Sequence, residues 1–449
     1  MKNINWRKPL IYVLLYASGS KIPQYLREIK SLEKLSAAEI KKYQEEKLKK
    51  LLLHAYQNVP YYHKLLVKVG VIDRSGQVQL QNFSKIPYLT KEIIRKEDKN
   101  LYSKDHQSRK SYENTSGGST GEPVRFLQDK NYDDWNISTK LYFNQKLGKD
   151  LGDPEIKLWG SDRDIILGNL TAKDRLINYL YNRKFFNCYD FSSDKILDLI
   201  KLNNSFKPTA YWSYMEAAFE LAKYVSKNKV FFRSPKFLIS TIGPLNEEVR
   251  KTIKNGLKTK VLNQYGSREV GWIAAQKNEK TEMSVFYWKD LVELNGTTKV
   301  EEKELLITTL DNYSMPLIRY QIGDVAIAGK ESVSFSGINS ILKIKAIVGR
   351  TLGFFVKKDG SLFHTHHLVQ QLFFQDWIKK FQVIQEKYDL IKIRVVQNKK
   401  PQKSELSKIE KNIWALTGQE MRIVWEFVEN IKPSKSGKYL YTVSKILRK

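Results

Sequence analysis

The residues best placed to do chemistry lie in Thr115-Ser-Gly-Gly-Ser-Thr-Gly-Glu-Pro-Val124, a loop of hydroxyls and glycines. Glycine (Gly117, Gly118, Gly121) accepts backbone angles that turn successive N–H groups toward one point, and the hydroxyls of Thr115, Ser116, Ser119 and Thr120 add donors. Converging donors of this kind hold phosphate. The Lys-Ser/Thr pair of the common P-loop does not come after Gly121; Glu122-Pro123 does. Taken alone, the segment reads equally well as a surface turn. Further motifs downstream give it weight. Gln264-Tyr265-Gly266-Ser267-Arg268-Glu269 lies just beyond an expected strand, and Arg319-Tyr320-Gln-Ile-Gly323-Asp324 comes after a strand pair. Val348-Gly349-Arg350 precedes a change of texture, and Pro433-Ser-Lys435-Ser-Gly437-Lys438 stands near the end. Each is weak by itself, but chance would have to supply all of them in this order. His364-Thr-His366-His367 invites a metal reading, yet it lacks the further ligand that zinc sites show, so a polar loop is expected there.

The elements that must position these residues are legible in outline. Ser36-Ala-Ala-Glu39 is a capping box, and Ile40, Tyr43, Leu48, Leu51, Leu52 and Ala55 recur at helical spacing until Asn58-Val-Pro60 stops the run. Residues 1–110 are therefore expected to form a largely helical lead. From the glycine loop onward, short apolar runs (156–159, 185–191, 236–241, 261–264 and 305–310) alternate with helical stretches at 215–227 and 246–256. That alternation argues for an α/β layered body. Beyond Arg350, a hairpin around Lys358-Asp359-Gly360 leads to a helix over 368–380 and strands over 381–385 and 390–396. A second helix over 406–416 and a strand over 421–427 complete the series. The expected division is a body over 1–349 and a small α+β domain over 350–449.

Composition sets the outer limits. The chain has 449 residues, 41% hydrophobic and 12% aromatic, which is globular and long enough for more than one domain. A single cysteine, Cys188, excludes an internal disulfide and fits a reducing compartment, the cytoplasm. The apolar patch Pro9–Ala17 is too short to span a bilayer and lacks a cleavage-site pattern; it is expected to pack on the body, with peripheral contact at a membrane's inner face left open. The 77 Lys and Arg against 48 Asp and Glu leave a formal charge of +29, a field that favours anionic partners. The lysines are scattered, however, and no basic run is interleaved with aromatics, which argues against nucleic acid as the partner.

The ordered motifs resemble the adenylate-forming superfamily, and within it the phenylacetate–CoA ligase branch that includes CapK-like proteins of capsule and polysaccharide gene clusters. The segment His54-Ala-Tyr-Gln-Asn-Val-Pro-Tyr-Tyr62 carries the resemblance into the helical lead. The resemblance implies an α/β enzyme whose large multi-layer body carries a small mobile α+β lid. Thr115–Gly121 would wrap the β- and γ-phosphates of ATP. Gly243 and Pro244 would line adenine, with Tyr265 against its face. Gly266 would belong to the nucleotide site, Ser267 would help hold the nucleotide or the carboxylate, and Glu269 would ligate Mg²⁺. Asp324 would take the ribose hydroxyls, supported by Arg350 at the hinge. Lys438 would be the catalytic lysine, with Lys435 as alternate. Trp212, Ser213 and Tyr214 match the segment that lines the acid pocket.

The chemistry of that set is coherent. A carboxylate approaching an α-phosphate brings two anions together, so positive charge must offset their repulsion. A unit pair at 4 Å is worth about 4 kcal/mol at an effective dielectric near 20. The nucleophile is already ionised, so no general base is needed and positioning does most of the work. The implied reaction joins a small carboxylic acid to AMP, releases pyrophosphate and passes the acyl group to CoA, the default acceptor. Two rivals stay open: transfer to a sugar amine or hydroxyl, and a non-catalytic relative that binds nucleotide or an anionic surface. The acid and the oligomeric state are not readable.

Overall fold

The computed structural model describes residues 5–116, 124–159, 171–188, 193–241, 245, 247–295, 302–350, 354–356, 362–373, 375–431 and 441–446. The lead comprises α1 (Arg7–Ala17), α2 (Ile22–Leu32), α3 (Ala37–Asn58), α4 (Pro60–Lys68) and the short α5 (Lys91–Glu97). The expected capping box forms at α3: Ser36 Oγ accepts from the Glu39 N–H at 3.4 Å, and the Glu39 carboxylate accepts from the Ser36 N–H at 2.8 Å. A cap of this kind is worth ~1 kcal/mol. Pro60 lacks the N–H that would continue α3 and is well suited to open α4. Ile40, Leu48, Leu51, Leu52 and Ala55 are buried as their spacing requires.

α1 meets the body through Lys8, whose Nζ donates to Asp150 Oδ2 at 2.6 Å, and through half-buried Tyr12, while Asn5 Nδ2, just before the helix, donates to the Leu151 carbonyl at 2.7 Å. Of its apolar residues only Ile11 is buried, while Leu10, Val13, Leu14 and Tyr16 face solvent.

The glycine loop is flanked by a hairpin, β1 (Tyr112–Thr115) and β2 (Arg125–Gln128), after which α6 (Lys130–Lys146) begins. Beyond it runs a βα series: β3 (Glu155–Trp159), α7 (Ala172–Leu180), β4 (Arg183–Asn187), α8 (Ser193–Phe206), β5 (Ala210–Tyr214), α9 (Met215–Asn228), β6 (Phe237–Thr241), α10 (Glu247–Leu257) and β7 (Lys260–Ser267). Neighbouring strands in this series are parallel. Antiparallel pairing begins with β8 (Gly271–Ala275) and β9 (Met283–Val285). β10 (Asp290–Asn295), β11 (Glu302–Thr309) and β12 (Tyr320–Ala328) come next, then the hairpin β13 (Ser332–Phe335) and β14 (Ile338–Ile341), then β15 (Lys343–Arg350). Among the described residues the main sheet has 11 strands in the order β10-β11-β12-β15-β9-β8-β7-β6-β5-β3-β4. α6 and α2 cover part of it, where Trp135, Phe143, Trp212, Ile239, Leu262 and Trp272 share one apolar cluster.

The C-terminal elements are the hairpin β16 (Phe354–Val356) and β17 (Leu362–His364), α11 (His366–Phe373), β18 (Ile378–Lys387), β19 (Leu390–Gln397), α12 (Lys403–Thr417), β20 (Arg422–Phe427) and β21 (Thr442–Ser444). Four of these strands form a sheet in the order β20-β19-β18-β21. The helix expected over 368–380 ends at Phe373, because Trp377, Ile378 and Phe381 are drawn into the sheet core beside Ile391, Ile393 and Val395. The chain divides into two compact units. The larger runs to Ile347, and the smaller begins at Val348 and also takes in Gly323–Val325.

Candidate functional site

The glycine loop emerges from a braced hairpin. Thr115 pairs with Arg125 across β1 and β2. The Ser116 N–H donates to the Val124 carbonyl at 2.8 Å, and the Val124 N–H donates to Ser116 Oγ at 2.9 Å. Ser116 is thereby committed to closing the loop's base, and it is buried. Gly117, Gly118, Ser119, Thr120 and Gly121 lie outside the described residues. So do Gly243, Pro244, Lys435 and Lys438.

The second motif sits at the end of β7, directly linked to the hairpin. Gln128 Nε2, on β2, donates to the Arg268 carbonyl at 2.8 Å and to the Glu269 carbonyl at 3.3 Å. Tyr265 is buried on β7. Gly266 stands just past a register irregularity against β8, and a Cβ there would stand 2.3 Å from the Gly271 carbonyl oxygen. No side chain fits, which explains this glycine better than flexibility does. Ser267 Oγ accepts weakly from the Val270 N–H at 3.4 Å, steadying the turn that presents Glu269.

The Glu269 carboxylate is buried, and Tyr320 Oη donates to its Oε1 at 3.4 Å. Among the described residues it has no ion-pair partner. Most of its acceptor capacity is therefore uncommitted, which suits one carboxylate of a Mg²⁺ site whose remaining ligands are water and nucleotide phosphates. No group of three or more His, Cys, Asp or Glu able to hold a metal by themselves occurs among the described residues. The side chains of His364, His366 and His367 lie outside the described residues.

The residues expected to line an acid pocket lie on β5, whose C-terminal end is Tyr214; α/β folds bind ligands at such ends. Trp159 ends β3 and Tyr214 ends β5, and their rings pack 4.8 Å apart. Trp212 is buried with its ring centroid 4.8 Å from that of Trp272. Ser213 alternates to the other side of the strand, where it is fully buried and donates to the Tyr214 carbonyl at 2.7 Å. Glu216, in the first turn of α9, is half-buried, and desolvation pushes its carboxyl up to about 7. The hydroxyls of Ser240 and Thr241, at the end of β6, are buried without a hydrogen-bond partner among the described residues.

Asp324 lies on β12, buried, directly after Gly323 with φ +82°. Arg350 closes β15. In the same motif, Arg319 proves to be a bracket. It adopts φ +49°, donates through Nη1 to the Ile86 carbonyl at 2.8 Å, and pairs with Glu293 at 3.4 Å.

This architecture is that of the adenylate-forming CoA ligases. A solved 2-hydroxyisobutyryl-CoA ligase, held in its postadenylation state with R3-HIB-AMP, superposes with a TM-score of 0.68 over 92% of this chain and 90% of that one, at 15% identity. Residues 355–445 match the family model of the CapK C-terminal domain. Protein CapK of Staphylococcus aureus is a homologue at 22% identity over 94% of this chain and 92% of that protein. The phenylacetate-coenzyme A ligase of Thermus thermophilus is another, at 23% identity over 79% of this chain and 80% of its own length.

Proposed function

We propose that the chain activates a carboxylic acid with ATP. A carboxylate oxygen attacks the α-phosphorus, the bond to the β-phosphate oxygen breaks, and pyrophosphate leaves an acyl-adenylate behind. A thiol sulfur, by default that of CoA, then attacks the acyl carbon, and AMP departs. One observation carries this reading: Glu269, whose buried carboxylate has no cation beside it among the described residues, is tied through its backbone carbonyl and Gln128 to the hairpin that flanks the glycine loop. The hairpin that flanks the glycine loop and the turn that carries Glu269 are thus joined. Asp324 and Tyr265 are assigned to the nucleoside, Arg350 to ribose and hinge, and Lys438 to the developing negative charge. Trp212 and Tyr214 are assigned to the acid.

A sugar amine or hydroxyl, as in polysaccharide decoration, is the alternative acceptor within the same adenylation chemistry. The single cysteine and the need for ATP support the cytoplasm as the compartment, and no described helix is long and apolar enough to cross a membrane. The exposed apolar side of α1 supports peripheral contact with an anionic bilayer.

The test is ATP–pyrophosphate exchange with Mg²⁺ across a panel of carboxylic acids, without CoA. Acid-dependent exchange that fails in folded Lys438→Ala bears the reading out; adding CoA or an amino sugar then selects the acceptor. Silence from folded protein that does not bind ATP overturns it.

A further inference from the structure

Beside the candidate acid pocket lie two ammonium groups for which the adenylation chemistry has no use. Lys157 sits at the centre of β3, its Cα in register with Phe185 on β4 and Trp212 on β5. Its Nζ lies 5.6 Å from the Phe185 ring centroid and 5.9 Å from that of Trp212. Lys140 approaches from α6, with its Nζ 5.8 Å from the Trp272 ring. Because Trp212 and Trp272 pack against each other, both cations border one aromatic pair.

Neither ammonium has an ion-pair partner among the described residues. Of the nearby carboxylates, Glu155 is held by Lys149 at 2.9 Å and by Arg183, and Asp133 accepts from Tyr112 Oη at 2.7 Å. A third donor is also unused: the buried indole N–H of Trp212 has no acceptor among the described residues. Both lysines are half-buried, so water still reaches them. Burial, then Arg183, pushes Lys157 down to about 7, with Lys140 adding repulsion; burial, then Arg183, pushes Lys140 down to about 8. Three unpartnered donors around an aromatic pair make a place where an anion would be stabilised rather than tolerated.

The strand pleat says how this place relates to the reacting end of the acid. Lys157 and Trp159 share one side of β3, as Trp212 and Tyr214 share one side of β5, each pair two residues apart. Lys157 and Trp212 therefore stand roughly 6–7 Å deeper along the strands than Trp159 and Tyr214, and Lys140 reaches the same aromatic pair from α6. We propose that Lys140, Lys157 and the Trp212 N–H receive a second anionic group at the far end of the substrate, so that the acid activated is dianionic. This rests on the adenylation reading above and adds the substrate class to it.

The test compares succinate, glutarate and adipate with butyrate, valerate and hexanoate, on the full chain. ATP–pyrophosphate exchange and calorimetric binding are measured in parallel, and phosphonopropionate tells a phosphoryl tail from a carboxylate. The expected result is a kcat/KM ratio, diacid over monoacid of equal length, of roughly tenfold or more, the factor one charge-assisted hydrogen bond supplies. That ratio should fall toward one in Lys157→Met and in Lys140→Met, and survive in Lys157→Arg, which keeps the charge should the methionine variants fold poorly. Monoacids used as well as diacids would overturn the inference while leaving adenylation standing. Tight, Lys157-dependent diacid binding without exchange would uphold the anion site and overturn the adenylation reading instead. If no diacid binds in preference to its monoacid and none supports exchange, both fall.

Discussion

Glu269 concentrates the chemical reading in one side chain. A buried carboxylate with a single weak donor at 3.4 Å is poorly solvated as it stands. Unpaired burial is costly, so the group is arranged for a cation that arrives with substrate. In Glu269→Gln the shape and the Tyr320 contact remain while the charge is lost. Exchange should fall by about 10²-fold and demand more Mg²⁺, with the melting temperature unchanged. Unchanged exchange at low Mg²⁺ would remove Glu269 from the site. Asp311 makes a contrasting case, because its burden falls on stability. It is fully buried, neither oxygen has a hydrogen-bond partner among the described residues, and desolvation raises its carboxyl well above the ordinary 3.8, against the pull of Lys289 and Lys47. The folded chain therefore keeps this proton where the unfolded chain has lost it. The resulting stability is complete below about pH 3.8 and is lost as pH rises through the folded value. Asp311→Asn should lose less stability than the parent between about pH 5 and pH 8, by roughly 1 kcal/mol or more, in urea unfolding at the two pH values. Equal losses would show that Lys47 and Lys289 fully compensate the buried charge.

Among the elements, β7 and its turn show how local geometry enforces the motif. The Gly266 backbone runs so close to the Gly271 carbonyl that even a methyl group must push β7 and β8 apart. Gly266→Ala should cost about 2 kcal/mol or more and lower the affinity for ATP together with the melting temperature. A stable variant with parent-like binding would show that the strand pair relaxes freely. The sequence exposes such elements unevenly. The capping box of α3, the alternation over β3, β6 and β7, and the hairpin of β16 and β17 are legible from local pattern alone. Several later strands are hidden: β9, β13 and β14 run only three or four residues, and β8 and β10 are buried on both sides, which erases periodicity. In the candidate site, Tyr265, Gly266 and Glu269 announce themselves by motif. The structural duty of Arg319 and the pairing of Lys140 with Lys157 do not. Those facts depend on contacts with residues 86 and 293, and on a helix packed across the sheet, which no local window contains.

At the scale of the whole molecule, the +29 charge acquires a direction only where it meets apolar surface. α1 turns Leu10, Val13, Leu14 and Tyr16 outward, and Trp6, just before it, packs 6.4 Å from Tyr179 of α7. α7 adds exposed Leu176, Ile177 and Tyr179, so two neighbouring helices present one apolar patch. Arg7, beside both Trp6 and Tyr179, and Lys173 and Arg175 on α7 put basic side chains beside it. A soluble surface gains nothing from such a patch, whereas an anionic bilayer would take up its rings and attract its rim. The chain should therefore co-sediment with vesicles containing phosphatidylglycerol and not with pure phosphatidylcholine vesicles. Binding should weaken as salt shortens the screening length toward about 8 Å. Leu14→Glu combined with Tyr179→Ser should abolish co-sedimentation while ATP–pyrophosphate exchange persists, since neither residue belongs to the site. If binding survives the substitution and disappears only with salt, the charge alone carries it and the patch has another use. If anionic vesicles do not bind at low salt, the positive field is a solvated surface, and the enzyme meets its substrates in solution.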